Sequence, residues 1–226
     1  MAQNPTQSAK LLEYFDNPHL HSRYLSFGEM GASGCYDGLQ LRSVFQPVLL
    51  ASTMKPFAFE ALLRASNEQG LAIPPHRAFS LPKKSKEIVF FDRLCRTIHA
   101  VNFALQAEPG NVLFLNVDGQ HLLHVDGGAH GDAFETLLGY CGLSPRQVVL
   151  EILESRINDL GRLMEAIASY QSRGFRIAID DFGCQHSNFD RLWQLTPDFV
   201  KLDRSFMVQS MVSSRARLVL PIGNHP

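Results

Sequence analysis

No stretch of this 226-residue chain stays apolar for the roughly 18 to 20 residues that a helix needs to span a bilayer. The opening MAQNPTQSAK also lacks the charged-then-apolar order of a secretory signal, so a cytoplasmic location is expected. Net charge is equally scarce. With 21 Lys and Arg against 22 Asp and Glu, there is no global basic field to hold a long nucleic acid or an anionic membrane, and a small anionic ligand needs a local site. The four cysteines, Cys35, Cys95, Cys141 and Cys184, are scattered, with neither the paired spacing of a zinc site nor the density of a secreted disulfide scaffold. Reduced thiols are expected. Glycine-rich phosphate cradles are missing too: FEALLRASNEQG carries neither a dinucleotide fingerprint nor a P-loop, and no internal repeat is present.

What the chain does contain, from Leu39 onward, is a run of short apolar segments alternating with helical periods. Strands are expected at Val44 to Leu50, Phe57 to Leu63, Val112 to Val117, Val148 to Leu153, Phe175 to Asp180 and Phe199 to Leu202. Between them, Ile88, Phe91, Leu94, Cys95, Ile98, Val101 and Leu105 recur at three and four residues, as do Leu160, Leu163, Met164, Ile167 and Tyr170. Those periods predict amphipathic helices. Residues 1–38 read as an irregular lead-in with one short helix around Ser8 to Phe15 and a glycine-rich turn from Gly28 to Gly38. Apolar strands alternating with helices imply an α/β domain built on a parallel sheet. Of the two architectures this allows, a barrel distributes its functional side chains over many strand ends, as the polar residues here are distributed.

Those polar residues are Glu60 in FEALLR, Asn116 in LFLNV, Glu151 in VVLEILE, and Asp180 with Asp181 in IAIDDFG. A carboxylate at the end of a buried strand costs several kcal/mol to desolvate unless a cation or hydrogen bonds compensate it, so the repetition points to a shared cation. All the donors are oxygens, which favours Mg²⁺ or Mn²⁺ over zinc, and Asp181 is available to a second ion. Adjacent strand residues face opposite ways, so both aspartates serve one site only if the strand ends at Asp180 and turns through Phe182-Gly183. Lys201, two residues before Asp203, has two readings: a structural ion pair, or an ammonium that orients water and stabilises a phosphoryl transition state. Two metals, a bridging water and a nearby cation form the general apparatus of phosphodiester hydrolysis.

The motifs Phe45 to Pro47 (FQP), Glu60-Ala61-Leu62, Asn116 in LNV, Leu150 to Ser155 (LEILES), Asp180 to Gly183 (DDFG) and Val200 to Phe206 (VKLDRSF) stand in an order that resembles the EAL domain family. Its members hydrolyse cyclic di-GMP to the linear dinucleotide pGpG. The resemblance implies a modified TIM-type barrel whose first strand, near Phe45, runs antiparallel to the rest. It implies that Glu60, Asn116, Glu151 and Asp180 bind a first metal, that Asp180 and Asp181 bind a second, and that Lys201 assists the water. Glu154 resembles the residue that steadies the loop after DDFG, and Gln46 and Arg64 resemble positions near the bound nucleotide. A homodimer is a further implied partner. A non-catalytic cyclic di-GMP receptor and a protein-interaction EAL-like module are the alternatives.

Three departures from the family pattern accompany the resemblance. Cys184-Gln185-His186-Ser187-Asn188 replaces a loop close to TGYSS, and Val117-Asp118-Gly119 follows Asn116 in place of Leu-Ser-Pro. The family continues beyond Phe206 with two further strand-helix units, one ending in a motif close to AEGVE, whereas SSRARLVLPIGNHP contains no glutamate. The expectation is an incomplete barrel over residues 39–207, a divergent tail over 208–226, and an interrupted reading frame behind the change.

Overall fold

The computed structural model describes residues 24–28, 31–50, 52–117, 122, 131–153, 159–182, 194–202 and 208, which form one nine-stranded mixed sheet with helices packed on its outer face. The first strands are β1 (Leu25–Gly28) and β2 (Gly31–Tyr36), an antiparallel pair that replaces the irregular turn expected before residue 39. Asp37 (φ 47°) and Gly38 (φ 74°) then reverse the chain between Tyr36 and Leu39. A two-residue Asp-Gly loop with both φ positive matches the right-handed twist of the strands it joins, so β2 leads straight into β3 (Leu39–Leu49).

Next come β4 (Pro56–Ser66), antiparallel to β3, and the two-residue β5 (Ala72–Ile73), antiparallel to β4. From β4 the sheet continues in parallel through β6 (Val112–Val117), β7 (Val148–Leu153), β8 (Arg176–Phe182) and β9 (Phe199–Leu202). The antiparallel strand expected near Phe45 is therefore present as β3, with a further hairpin ahead of it. Among the described residues the sheet is an open path from β1 to β9. The β8–β9 ladder is irregular between Ile179 and Phe182, and β8 continues to Phe182, which corrects the expected strand end at Asp180.

Among the described residues, four α-helices with full bounds accompany the strands: α1 (Pro75–Ala78), α2 (Ser85–Gln106), α3 (Asp132–Cys141) and α4 (Leu160–Ser172). Glu87 Oε2 accepts from the backbone N–H groups of Lys83 and Lys84 at 3.1 and 3.3 Å, and Asp159 Oδ1 accepts from Arg162 N at 3.1 Å. These carboxylates satisfy orphan donors at the starts of α2 and α4. None of the described helices is long and apolar enough to cross a bilayer.

Alternation divides the sheet into two faces. Outward side chains such as Leu41, Ala61, Leu63, Leu115, Leu150 and Ile177 pack with the helices into the main core. Inward ones form a smaller apolar layer of Ala58, Phe114, Val149 and Ala178, flanked by Phe199, and the residues two positions further along these strands carry the polar groups. Three helices are tied together beneath the outer core by Arg96, which meets Asp92 Oδ2 at 2.6 Å, donates to Tyr170 Oη at 3.3 Å and lies 5.0 Å over the Phe134 ring. The hairpin is fixed by Asn102 of α2, which accepts from Ala32 N at 2.7 Å and donates to Ala32 O at 2.8 Å. Ser43 Oγ and His99 Nδ1 share a hydrogen bond of 2.7 Å beside it.

Candidate active site

Five side chains expected to act together come from five strands. Glu60 lies midway along β4, and Asn116 on β6, Glu151 on β7, Asp180 on β8 and Lys201 on β9 lie towards the carboxyl ends of their strands, all on the inward face. Their alignment follows from register: Asn116 stands opposite Glu151, and Leu153 opposite Asp180, so the polar positions climb around the sheet. Neighbouring strands lie about 4.8 Å apart, close enough for side chains on successive strands to converge.

The convergence centres on the lysine. Lys201 Nζ is 2.6 Å from Glu151 Oε1, 3.1 Å from Glu60 Oε2 and 3.4 Å from Asp180 Oδ1. Glu60 Oε1 accepts a 3.4 Å hydrogen bond from Asn116 Nδ2. The Glu151 side chain is fully buried, whereas Lys201 keeps 30% of its side chain exposed. At 2.6 Å, Lys201 and Glu151 form a close, charge-assisted pair.

Electrostatics records the same arrangement. Burial lifts the Glu151 carboxyl to about 7, Lys201 pulls it down, and the nearby Glu60 and Asp180 charges push it up again. Burial alone would lower Lys201, but the surrounding carboxylates outweigh it and leave its pKa raised, so the ammonium stays charged at neutral pH. The pair is unequal because Glu151 is the more deeply desolvated partner.

No group of three His, Cys, Asp or Glu side chains among the described residues is gathered tightly enough to hold an ion as the side chains stand, and Lys201 Nζ lies between Glu60, Glu151 and Asp180. A hard divalent cation fits the donors in kind. They are oxygens on four adjacent strands, one of them the buried and unpartnered Glu151 Oε2. The approaches of 2.6 to 3.4 Å suit an ammonium, whereas Mg²⁺ requires about 2.0 to 2.1 Å. Asp181 belongs to β8, but its side chain lies outside the described residues, as do Glu154 and the loop from 183. Gln46 is exposed directly opposite Glu60, and Arg64 is exposed four residues further along β4, its Nη1 donating to Leu63 O at 3.0 Å.

The family model for the EAL domain matches residues 36–220, more than the 39–207 span read from motifs. The chain belongs to the EAL domain family. The uncharacterized EAL-domain containing protein YkuI of Bacillus subtilis is 30% identical over 78% of this chain and 43% of its own length. Its structure in complex with substrate c-di-GMP and calcium aligns over 79% of this chain and 47% of that one, with TM-score 0.61 and 25% identity. Escherichia coli PdeN, named a Probable cyclic di-GMP phosphodiesterase, is 29% identical over 74% of this chain and 32% of its own length. The FimX EAL domain of Pseudomonas aeruginosa bound to c-di-GMP aligns over 79% of this chain and 72% of that one, with TM-score 0.66 and 26% identity. This EAL chain thus spans less than half the length of the two curated relatives.

Beside the EAL residues found by motif, Arg42 went unremarked in the sequence. Its signal is the hairpin register, which sets it opposite Arg64.

Proposed function

We propose that this EAL chain binds cyclic di-GMP at the Lys201-centred cluster and, with Mg²⁺ or Mn²⁺, hydrolyses one phosphodiester to give pGpG. The observation that carries the proposal is the gathering of Glu60, Glu151 and Asp180 around one ammonium, with Asn116 bonded to Glu60. Strand-end carboxylates that share one cation are a costly arrangement unless that cation has work to do. The relatives named for cyclic di-GMP support the ligand.

A bound divalent ion supplies Lewis-acid polarisation of the phosphodiester and of the attacking water. Glu60, Asn116, Glu151 and Asp180 are the residues to hold it, with Asp181 contributing to a second. Lys201, reaching in from β9, orients the attacking water and balances charge that develops on the phosphoryl oxygens. Water forms the new P–O bond, the P–O3′ bond breaks, and the proton ends on the departing 3′ oxygen, leaving the 5′-phosphate of pGpG.

The test is chromatography of cyclic di-GMP incubated with the purified chain and Mg²⁺ or Mn²⁺, alongside Glu60→Ala. Formation of pGpG by the wild type and its loss in the variant support hydrolysis. Tight binding without pGpG favours the receptor alternative and sinks the catalytic reading.

A further inference from the structure

At the end of the sheet away from Lys201, the segments leading into the parallel strands surround a cavity of about 620 Å³. Val112 opens β6, Arg146 and Gln147 precede β7, Gln171 belongs to the last turn of α4, Arg176 opens β8, and Asp198 precedes β9. Pockets of roughly 300 to 1,000 Å³ hold small-molecule ligands. This one is separate from the carboxylate cluster. Arg176 stands four residues before Asp180 on β8, about 13 Å along the strand, with Ala178 of the inner apolar layer between them.

Two guanidinium groups meet one carboxylate in this lining, and the carboxylate is already engaged, since Asp198 Oδ2 accepts from Ile177 N at 2.8 Å. Neither Arg146 nor Arg176 forms an ion pair or a side-chain hydrogen bond among the described residues. Arg176 Nε is closed off from solvent without an acceptor, and the guanidinium carbon lies 5.4 Å over the Phe199 ring, whose face attracts the cation. Arg146 reaches the same wall through Gly174: at φ 92° this glycine turns the chain two residues before Arg176, and a Cβ there would lie 3.5 Å from Arg146 Cγ. Gln147 Oε1 accepts from Ser144 N at 3.0 Å, which leaves its Nε2 as a further donor. A desolvated N–H of a charged group is costly without an acceptor, and an oxyanion supplies what each guanidinium fork can bind with two aligned donors.

We propose that this cavity binds the phosphate group of a small phosphorylated molecule between Arg146 and Arg176, with Gln147 donating beside them. A phosphate monoester carries about −1.5 to −2 charge at neutral pH and three strong acceptor oxygens, which matches two guanidinium forks and an amide. A carboxylate offers one charge and two oxygens. The volume exceeds what a bare ion fills, so the organic part of the molecule lies in the same cavity, along Val112. The site is a second one, independent of the cyclic di-GMP reading.

Calorimetric titration of the full chain with glycerol 3-phosphate, inorganic phosphate and succinate tests this, in chelator so that no divalent ion draws phosphate to the Lys201 cluster. Glycerol 3-phosphate should bind the wild type, and more tightly than inorganic phosphate or succinate. Arg146→Ala, at an exposed position, should weaken it at least tenfold with an unchanged urea midpoint. Arg146→Lys should recover part of the loss, since a point charge still attracts phosphate. Lys201→Met, with its folding checked by thermal melt, should keep the wild-type affinity. Several results overturn the assignment. They are no binding of glycerol 3-phosphate, an Arg146→Ala affinity within twofold of wild type, or a loss confined to Lys201→Met, which places the phosphate at the cluster. Tighter binding of inorganic phosphate than of the ester reduces the site to an adventitious ion only, and succinate binding as tightly as the ester refutes the phosphate class. Hydrolysis to pGpG is read separately, so either proposal can fail while the other stands.

Discussion

Replacing Glu151 by glutamine keeps the shape of the site and removes its most deeply buried charge. Burial lifts this carboxyl from its ordinary 4.5 to about 7, with Lys201 pulling the other way. A raised carboxyl pKa means that the folded chain favours the protonated form, so stability is greatest below 4.5 and declines as pH rises towards and through 7. At about 1.36 kcal/mol per pH unit the full effect is about 3.4 kcal/mol, of which about 2.5 falls between pH 5 and pH 8. His99 opposes it. Burial lowers that imidazole from 6.5 to about 4, the folded state favours the neutral ring, and stability is lost as pH falls through 6.5. Its contribution of about 2 kcal/mol over the same window nearly cancels the Glu151 slope in the wild type, but it is shared by the variant. The difference between the two proteins therefore isolates Glu151. Urea unfolding in chelator-treated buffer should show Glu151→Gln gaining about 2.5 kcal/mol on the wild type from pH 5 to pH 8, whatever its offset at pH 5. Added Mn²⁺ should stabilise the wild type and leave the variant unmoved. A difference that stays flat with pH would refute the account of the buried carboxylate.

Lys201→Met removes the shared counter-charge. Breaking a fully buried pair costs about 3 to 5 kcal/mol, but Lys201 is partly exposed and Glu151 is able to take up a proton, so about 2 kcal/mol is expected, or about 4 to 8 °C in a metal-free thermal melt. Its pGpG formation should fall at least a hundredfold, read by the same chromatography. Arg96→Met leaves Asp92 charged and buried between helices, and urea midpoints should report a loss of about 3 to 5 kcal/mol. Asn102→Ala removes both bonds to Ala32, so hydrogen exchange should accelerate over residues 31–36 while β6, β7 and β8 stay protected.

The parallel half of the sheet was legible because its strands are short apolar runs bounded by turn residues. Val112–Val117, Val148–Leu153 and Phe199–Leu202 fall where the sequence places them. Convergence of Glu60, Asn116, Glu151, Asp180 and Lys201 was also legible, since polar residues ending successive parallel strands share one end of the sheet. The β1–β2 hairpin was hidden by its composition. GASGCY reads as a turn, and its strand character depends on pairing with β3 and on Asn102, seventy residues away. A local cue did exist in Asp37-Gly38. Helix α3 also had a signal, the spacing of Phe134, Leu137, Leu138 and Cys141, in a segment short enough to pass as a loop. That the central cation is a lysine is a matter of side-chain reach, which spacing along the chain does not encode.

The connection at residues 50–55 sets which residues of β4 stand opposite those of β3. Met54, at φ 54°, helps reverse the chain there, and the ladder irregularity between Val48 and Leu49 lies just inside the reversal. Adding or deleting a single residue would swap the inward row of β4 for the one behind it unless that irregularity absorbed the change. Lengths in this connection should therefore drift in even steps among functional descendants, and an ordinary surface loop becomes the part least free to vary.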